Sequence, residues 1–306
     1  MASLQIKKPR HFGKQSRRNF LRGVLFASPW IVGFLLWTVY PLVASFYYSF
    51  MRYDVLRPPR FVGMGNYIDL FNDNLFHKVT GNTFYFVALG VPLGLASAFA
   101  LAALLNNDFK LRSFFRAIFF LPAVMPTIVI AEIWRWVYSP QYGLINAVLR
   151  SWGLAAIPWL SSPSLAKLSL IIIHCWSQGA AIVIFLAALQ DVPRSLYDAA
   201  LVDGANRWQQ LWHVTIPMCT PAILFVGLTN LIDVFQYFTL GWLLTQGGPN
   251  RATEFYSMYL YRNAFKFLKM GYASALAWVL FLIVVSVTLL IFRTSARWVY
   301  YGSAAE

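Results

Sequence analysis

Six long apolar runs, separated by polar segments, set the pattern of this chain: about 24–50, 83–105, 112–138, 167–189, 218–244 and 272–292. A helix needs roughly 20 apolar residues to cross the hydrocarbon core of a bilayer, and each run is long enough. Pro29 and Pro41 fall inside the first run, where a membrane helix tolerates them better than a soluble one does. Turn-forming clusters mark the gaps: Arg57-Pro58-Pro59, Gly63-Met64-Gly65-Asn66, Asn106-Asn107-Asp108 and Gly247-Gly248-Pro249-Asn250. The segment 139–166 is rich in Trp, Pro and Ser, as suits the membrane surface. The pattern predicts an all-α polytopic membrane protein with about six transmembrane helices and a polar cytoplasmic loop, 190–217, between spans four and five. Four parts follow: a basic tail at 1–22, the first span with its outer loop at 23–78, a core domain of five spans at 79–296, and a short tail at 297–306.

Composition supports this reading. Of 306 residues, 59% are hydrophobic and only 12% charged, roughly half the charge of a soluble domain. The net charge of +14 would suggest nucleic acid in a soluble protein. Here the basic residues crowd the ends of apolar runs, so membrane topology and anionic lipid account for them. Seven Lys/Arg and no acid precede the first run, which places both termini and 190–217 in the cytoplasm. That run is too long for the core of a cleaved signal peptide and reads as a retained first helix. Cys175 and Cys219 form no paired motif and read as small apolar fillers, with no metal site indicated.

The segment from Asp191 to Pro217 carries the most information. Asp191 is placed to cap a helix with Pro193 in its first turn, the helix runs over about 194–203, and Gly204 stands where a left-handed C-terminal residue belongs. A second short helix over about 206–213 leads to Pro217. The expected product is a helix–Gly–helix elbow on the cytoplasmic face.

Tyr197-Asp198-Ala199-Ala200, Asp203-Gly204-Ala205 and Ile216-Pro217 resemble the "EAA" loop of ABC importer permeases, in which Glu-Ala-Ala is followed after three residues by Gly. Here Asp198 replaces the Glu, one methylene shorter, and Thr215-Ile216-Pro217 lacks the usual leucine before proline. Ala27-Ser28-Pro29, Gly63-Met64-Gly65-Asn66-Tyr67, Phe120-Leu121-Pro122, Leu244-Thr245-Gln246-Gly247-Gly248-Pro249 and Met270-Gly271-Tyr272-Ala273-Ser274-Ala275 extend the similarity from residue 24 to the end. They are similar to the carbohydrate-uptake branch, the maltose/glycerol-phosphate type, and within it to the partner with the Gly-Gly-Pro loop. The resemblance implies that Leu196, Tyr197, Asp198, Ala199, Ala200, Asp203, Gly204 and Ala205 form a coupling helix that docks on an ATPase subunit.

Ionisable groups at membrane depth are costly and are site candidates by default. Glu132 and Arg135, three apart in span three, read as an intrahelical pair. His174 and Gln178 share a face of span four beside Trp176 and Ser177, and Asn230, Asp233, Gln236 and Tyr237 form a polar, partly aromatic stripe on span five. Carboxylates and amides suit sugar hydroxyls, and aromatic faces suit a pyranose ring. The same groups equally suit bonds to neighbouring helices or to a second permease. The family resemblance places substrate contacts at Trp176, Ser177, Ala180, Asn230, Asp233, Val234, Tyr237 and Thr239, and Gln178 joins them by helical position.

The function expected is a permease subunit of a sugar importer in the bacterial or archaeal cell (inner) membrane. The resemblance implies a heterodimer with a second permease, two copies of an ATP-binding subunit and an extracytoplasmic solute-binding protein. The chain has no GxxxxGK[ST] loop, so ATP and Mg belong to the partner ATPase, with no cofactor and no catalytic residue here. An ion- or proton-coupled secondary transporter, recruiting Asp233, Glu132 and His174, is the alternative. No repeat relates the first three spans to the last three, and neither HExxH nor GxSxG points to an intramembrane enzyme.

Overall fold

The computed structural model describes residues 14–300. Most of the basic N-terminal tail (1–13) and the end of the C-terminal tail (301–306) lie outside the described residues.

Helix α1 (Lys14–Phe34), a π-helical turn Leu35–Val39 and α2 (Tyr40–Ser49) make one continuous span. The π turn has a cause in the sequence. Pro41 lacks an N–H and its ring would press on the carbonyl four residues back, so the helix widens just before it. The same device recurs where the turn Leu211–Thr215 precedes Pro217. After the first span, β1 (Met51–Arg52) pairs antiparallel with β2 (Arg60–Phe61) in a small hairpin, Met51 opposite Phe61. Helix α3 (Gly65–Phe71) and α4 (Asn74–Asn106) follow. Asp73 caps α4, its carboxylate accepting from the Leu75 amide at 2.8 Å. The second span therefore begins nine residues earlier than the hydropathy pattern predicts, because a capped amphipathic turn lies N-terminal to the apolar run.

Spans three and four are broken. Helices α5 (Arg112–Val124) and α6 (Thr127–Val137) meet at 106°. Pro126 forces Met125 into an extended conformation and cannot donate to the helix, so one apolar run becomes two arms. Helix α7 (Leu144–Ser151) lies in the following loop, clamped by Asn146, which bonds to Ser139 and Ile157. Helices α8 (Ala166–Trp176) and α9 (Gly179–Gln190) meet at 46°, and the Ser177 hydroxyl there donates back to the Ile173 carbonyl at 2.9 Å. The elbow contains α10 (Arg194–Val202) and α11 (Arg207–Gln210), and the latter passes through its π turn into α12 (Ile216–Phe235) as one unbroken 29-residue span. Span five ends earlier than expected, at Phe235, and its remainder becomes the separate helix α13 (Thr239–Thr245). Helix α14 (Tyr256–Tyr261), a π turn Arg262–Lys266 and α15 (Met270–Ser295) complete the chain. Among the described residues, four helical stretches are long and apolar enough to cross a membrane alone, and the two bent pairs raise the number to six.

Helix α4 is the central post, packing on α8, α9 and α12. One end of the core gathers Phe86, Val234, Phe255 and Leu276, and the other gathers Ala102, Phe185, Leu189 and Cys219. Small residues let the helices approach. A Cβ on Gly94 would lie 3.2 Å from His174 Nε2, and one on Gly179 would lie 3.0 Å from the Phe119 carbonyl. Cys175 and Cys219 are free thiols packed among apolar neighbours.

Candidate coupling elbow and transport site

The elbow is built by local chemistry. Helix α10 starts at Arg194, directly after Pro193, which sits extended at the N-cap and makes no side-chain cap. Asp191, expected to cap α10, instead closes α9, its N–H donating to the Ala187 carbonyl at 3.1 Å. At the other end the Ala205 N–H reaches the Ala200 carbonyl at 2.8 Å and the Gly204 N–H reaches Leu201 at 3.0 Å. These two bonds form a Schellman turn, which needs a left-handed residue, and Gly204 takes φ +78. Asn206 then caps α11 reciprocally: its side chain accepts from the Gln209 N–H at 2.9 Å, and Gln209 Oε1 accepts from the Asn206 N–H at 2.7 Å.

Two further bonds brace the arms. Tyr197 Oη lies 3.0 Å from Thr215 Oγ1, and Gln210 Nε2 donates to the Ala205 carbonyl at 3.1 Å. Tyr197 thus faces inward, while Leu196, Asp198, Ala199, Asp203 and Gly204 are exposed. A cleft of about 430 Å³ opens beside the bend, lined by Leu196, Ala199, Ala200, Gly204, Gln209 and His213 among others. Large apolar groups stand out around it: Val202 is 89% exposed, Trp208 72% and Trp212 62%. Exposed apolar groups of this size are unusual beside a polar loop and are a common feature of contact faces.

In the membrane, the expected substrate residues divide into two groups. Gln178, Asn230 and Val234 are buried in helix packing. Asn230 Nδ2 donates to Gln178 Oε1 at 2.7 Å, while His174 Nε2 lies 3.1 Å from Asn230 Oδ1 and 3.0 Å from Gln178 Nε2. This cluster ties α8, the break before α9, and α12 to each other, as the helix-bonding alternative requires. Trp176, Ala180, Asp233 and Thr239 are exposed, and Ser177 is partly so but turned back on Ile173. Tyr237 packs between Phe86, at 4.6 Å between ring centroids, and Phe255, at 5.4 Å. Its buried hydroxyl has no partner among the described residues, and neither has the indole N–H of Trp134, which lies against Trp176. Phe86, Gly94 and Trp134 pack directly against the expected substrate residues and were not singled out from the sequence; the Gly90-x-x-x-Gly94 spacing was the available signal for the close approach at Gly94. Glu132 and Arg135 pair at 2.5 Å as expected, and Arg135 also donates to the Leu243 carbonyl at the end of α13.

The Gly-Gly-Pro loop is a fixed knot. Gln246, Gly247, Asn250 and Arg251 all have positive φ. Arg262 Nη2 donates to the Gln246 carbonyl at 2.5 Å, Lys78 to Asn250 at 2.7 Å, and Asn82 to Arg251 at 2.9 Å. Beneath them Glu254, only 1% exposed, faces Arg262 at 3.2 Å. Nothing in the local sequence signals this buried charge.

Residues 90–299 match the model of the binding-protein-dependent transport system inner membrane components. The chain belongs to that family. It is a multi-pass permease subunit of an importer and not itself an enzyme, which removes the secondary transporter as an alternative. The permease is 39% identical over 295 residues to "Probable ABC transporter permease protein YesP" of Bacillus subtilis (strain 168), covering 95% of each chain. It is 34% identical over 282 residues to the "Lactose transport system permease protein LacF" of Rhizobium radiobacter, covering 89% of this chain and 93% of that protein. It is 33% identical over 276 residues to the "Sulfoquinovosyl glycerol transport system permease protein SmoG" of Agrobacterium fabrum (strain C58 / ATCC 33970), covering 89% and 90%. Its fold matches a chain of a bacterial alginate ABC transporter, crystallised in complex with an alginate pentasaccharide-bound periplasmic protein. That match has a TM-score of 0.82 and 23% identity, over 93% of this chain and 96% of that one.

Proposed function

We propose that this permease imports a sugar or sugar derivative handed over by an extracytoplasmic binding protein. It pairs with a second permease, and two copies of an ATPase bind from the cytoplasm. The relatives named for lactose and sulfoquinovosyl glycerol transport support the sugar class. Both termini and the elbow lie in the cytoplasm, in line with the basic residues before the first span.

The observation that carries the mechanism is the elbow. Its bend is rigid, because the Schellman turn, the reciprocal cap and the Tyr197–Thr215 bond fix both arms. Its exposed side carries Val202, Trp208 and Trp212 beside the carboxylates of Asp198 and Asp203, and its second arm is continuous with span five. A partner that grips α10 therefore moves α12 directly, with no flexible joint between Arg207 and Phe235 to absorb the displacement. ATP binding in the partner draws the two elbows of the permease pair towards each other, and the path between the permeases opens outward. Hydrolysis resets it. Leu196, Asp198, Ala199, Asp203 and Gly204 form the gripped face, and Tyr197 braces it from inside.

Substrate contacts belong to the exposed set, Trp176, Ala180, Asp233 and Thr239, with Tyr237 and Trp134 supplying unspent hydrogen-bonding groups nearby. Gln178, Asn230 and Val234 shape the site from behind. The test is uptake of lactose and of other candidate sugars into proteoliposomes that hold the complete assembly and its operon-encoded binding protein. Accumulation that needs both ATP and the binding protein is expected. Accumulation without ATP would overturn the proposal.

A further inference from the structure

The base of span five contains a break in its bonding. Pro221 has no N–H, so the Pro217 carbonyl four residues back loses its helical partner. Thr220 repairs the loss: its hydroxyl donates to the Pro217 carbonyl at 2.6 Å. A hydroxyl has one proton, so Thr220 Oγ1 can then only accept. The Tyr300 N–H fills that place at 2.8 Å, from 80 residues further along the chain. A turn at the end of α15 delivers it, with the Trp298 and Val299 N–H groups donating to the Ser295 carbonyl at 3.1 and 2.8 Å. Thr220 and Ser295 are both buried, which shields the junction from water.

We propose that this bond is a strap that makes the last span follow the elbow, so that Thr220 is a positioning residue for transport. The proposal rests on the importer reading above, in which a partner ATPase displaces α10 and α12 with it. Thr220 lies three residues beyond Pro217, where that displacement enters span five. The strapped span is one helix from Met270 to Ser295, with no proline inside it. At its far end the Gly271 N–H donates to the Tyr53 carbonyl at 3.1 Å, and a Cβ on Gly271 would lie 1.9 Å from the Met51 carbonyl oxygen. A pull on the Ser295 end therefore reaches the hairpin β1–β2 at the other end of the same rod. Apart from a smaller contact with α12, α15 packs on α2, α3, α14 and the π turn Arg262–Lys266, none of which is continuous with the elbow. Rigid helices joined by hydrogen bonds can carry such coupling, and here the strap supplies the join.

The test uses the complete transporter in nanodiscs and follows hydrogen exchange with and without ATP and vanadate. In wild type, exchange over 296–300 should be slow in both conditions, and exchange over 51–53 and 270–273 should change when nucleotide is added. Thr220→Val has nearly the same shape and cannot accept. It should speed exchange over 296–300 roughly fivefold, the loss of one neutral hydrogen bond, and abolish the nucleotide response of the hairpin. Thr220→Ser keeps the hydroxyl and should restore both. Tyr300→Pro removes the donor without touching span five and should abolish the hairpin response as well. A bond that only stabilises would alter exchange over 296–300 and leave the hairpin response in place, and that result would overturn the proposal. Unchanged protection of 296–300 in Thr220→Val, or a wild-type hairpin that ignores nucleotide, would overturn it too. An assembly that hydrolyses no ATP would sink the importer reading, and the role of the strap with it.

Discussion

The Asn230 amide of span five donates to Gln178 Oε1, at the break in span four, at 2.7 Å. Both residues were candidates to bind substrate, and both are spent on each other and on His174. A polar cluster at a helix break is an efficient join, since the break frees backbone and the amides restore bonding between helices.

Asn230→Ala should therefore act on stability. Interhelical hydrogen bonds in membranes are worth about 1 kcal/mol, so a modest loss is expected, seen as a lower unfolding midpoint of the detergent-solubilised assembly. Asp233→Ala, at an exposed position three residues on, should leave that midpoint alone and reduce sugar uptake. The reverse pattern would exchange the two roles.

Gly204 holds φ +78 with open space around its Cα hydrogens. A side chain there meets no atom, so the cost of substitution is conformational. Gly204→Val should strain the turn by about 1–2 kcal/mol and misplace α10, and Gly204→Asn should be milder. Measured side by side, ATP hydrolysis should persist in Gly204→Val while uptake falls. Normal coupling would count against the rigid elbow.

Much of this elbow was legible in advance. Gly204 announced the left-handed residue and Pro193 the start of α10, because backbone conformation is set by the local residue, but the second short helix expected to stop before Pro217 runs on through a π turn into span five, since a proline in the first turn of α12 needs no N–H. The assignment of Asp191 failed for a competing local reason: the helix of span four ran on long enough to take that residue as its own end. The breaks in spans three and four were harder to read. Hydropathy averages over a window, and Met125-Pro126 interrupts an apolar run without interrupting its apolarity. Arg251 stands three residues before Glu254 and meets it at 3.8 Å, but the burial of Glu254 and its nearer partner, Arg262 at 3.2 Å, are set by tertiary packing and were invisible.

Glu254→Ala leaves Arg262 facing a buried space without its carboxylate. Arg262 is partly exposed and keeps its bond to Gln246, so the loss is that of a charged hydrogen-bonding partner, about 1–3 kcal/mol, and the variant should expose the loop 246–254 to proteases. Glu254→Gln keeps the shape and should be intermediate. Equal stability of both to wild type would contradict the knot.

Asp73 gives a pH prediction. Burial tends to raise its carboxyl, but hydrogen bonds from Tyr259, the Leu75 amide and Tyr272 outweigh it and hold the group below its ordinary value of 3.8. A carboxyl depressed on folding adds stability above its unfolded value, and that stability is lost as pH falls through the folded value. The gap in unfolding midpoint between wild type and Asp73→Asn should stay constant from neutral pH to about pH 5 and close in strong acid. A gap that widens in acid would contradict the assignment.

Gly271 sits against the hairpin, with a Cβ position 1.9 Å from the Met51 carbonyl oxygen. Gly271→Val must push β1 away from α15, since backbone cannot yield as a side-chain tip does. The Gly271 N–H donates to the Tyr53 carbonyl at 3.1 Å in the native packing, so its hydrogen exchange should be slow in wild type, and exchange across 51–53 and 270–273 should be faster in this variant. Equal exchange would show that the hairpin tolerates the displacement.

The most direct test of the account is the composition of the working assembly. The chain, expressed from its native operon and gently solubilised, would be weighed with its partners by native mass spectrometry. One copy of this chain with one second permease and two ATPase subunits is the predicted result. Recovery of the chain alone or as a self-dimer, active in uptake without ATP, would contradict it.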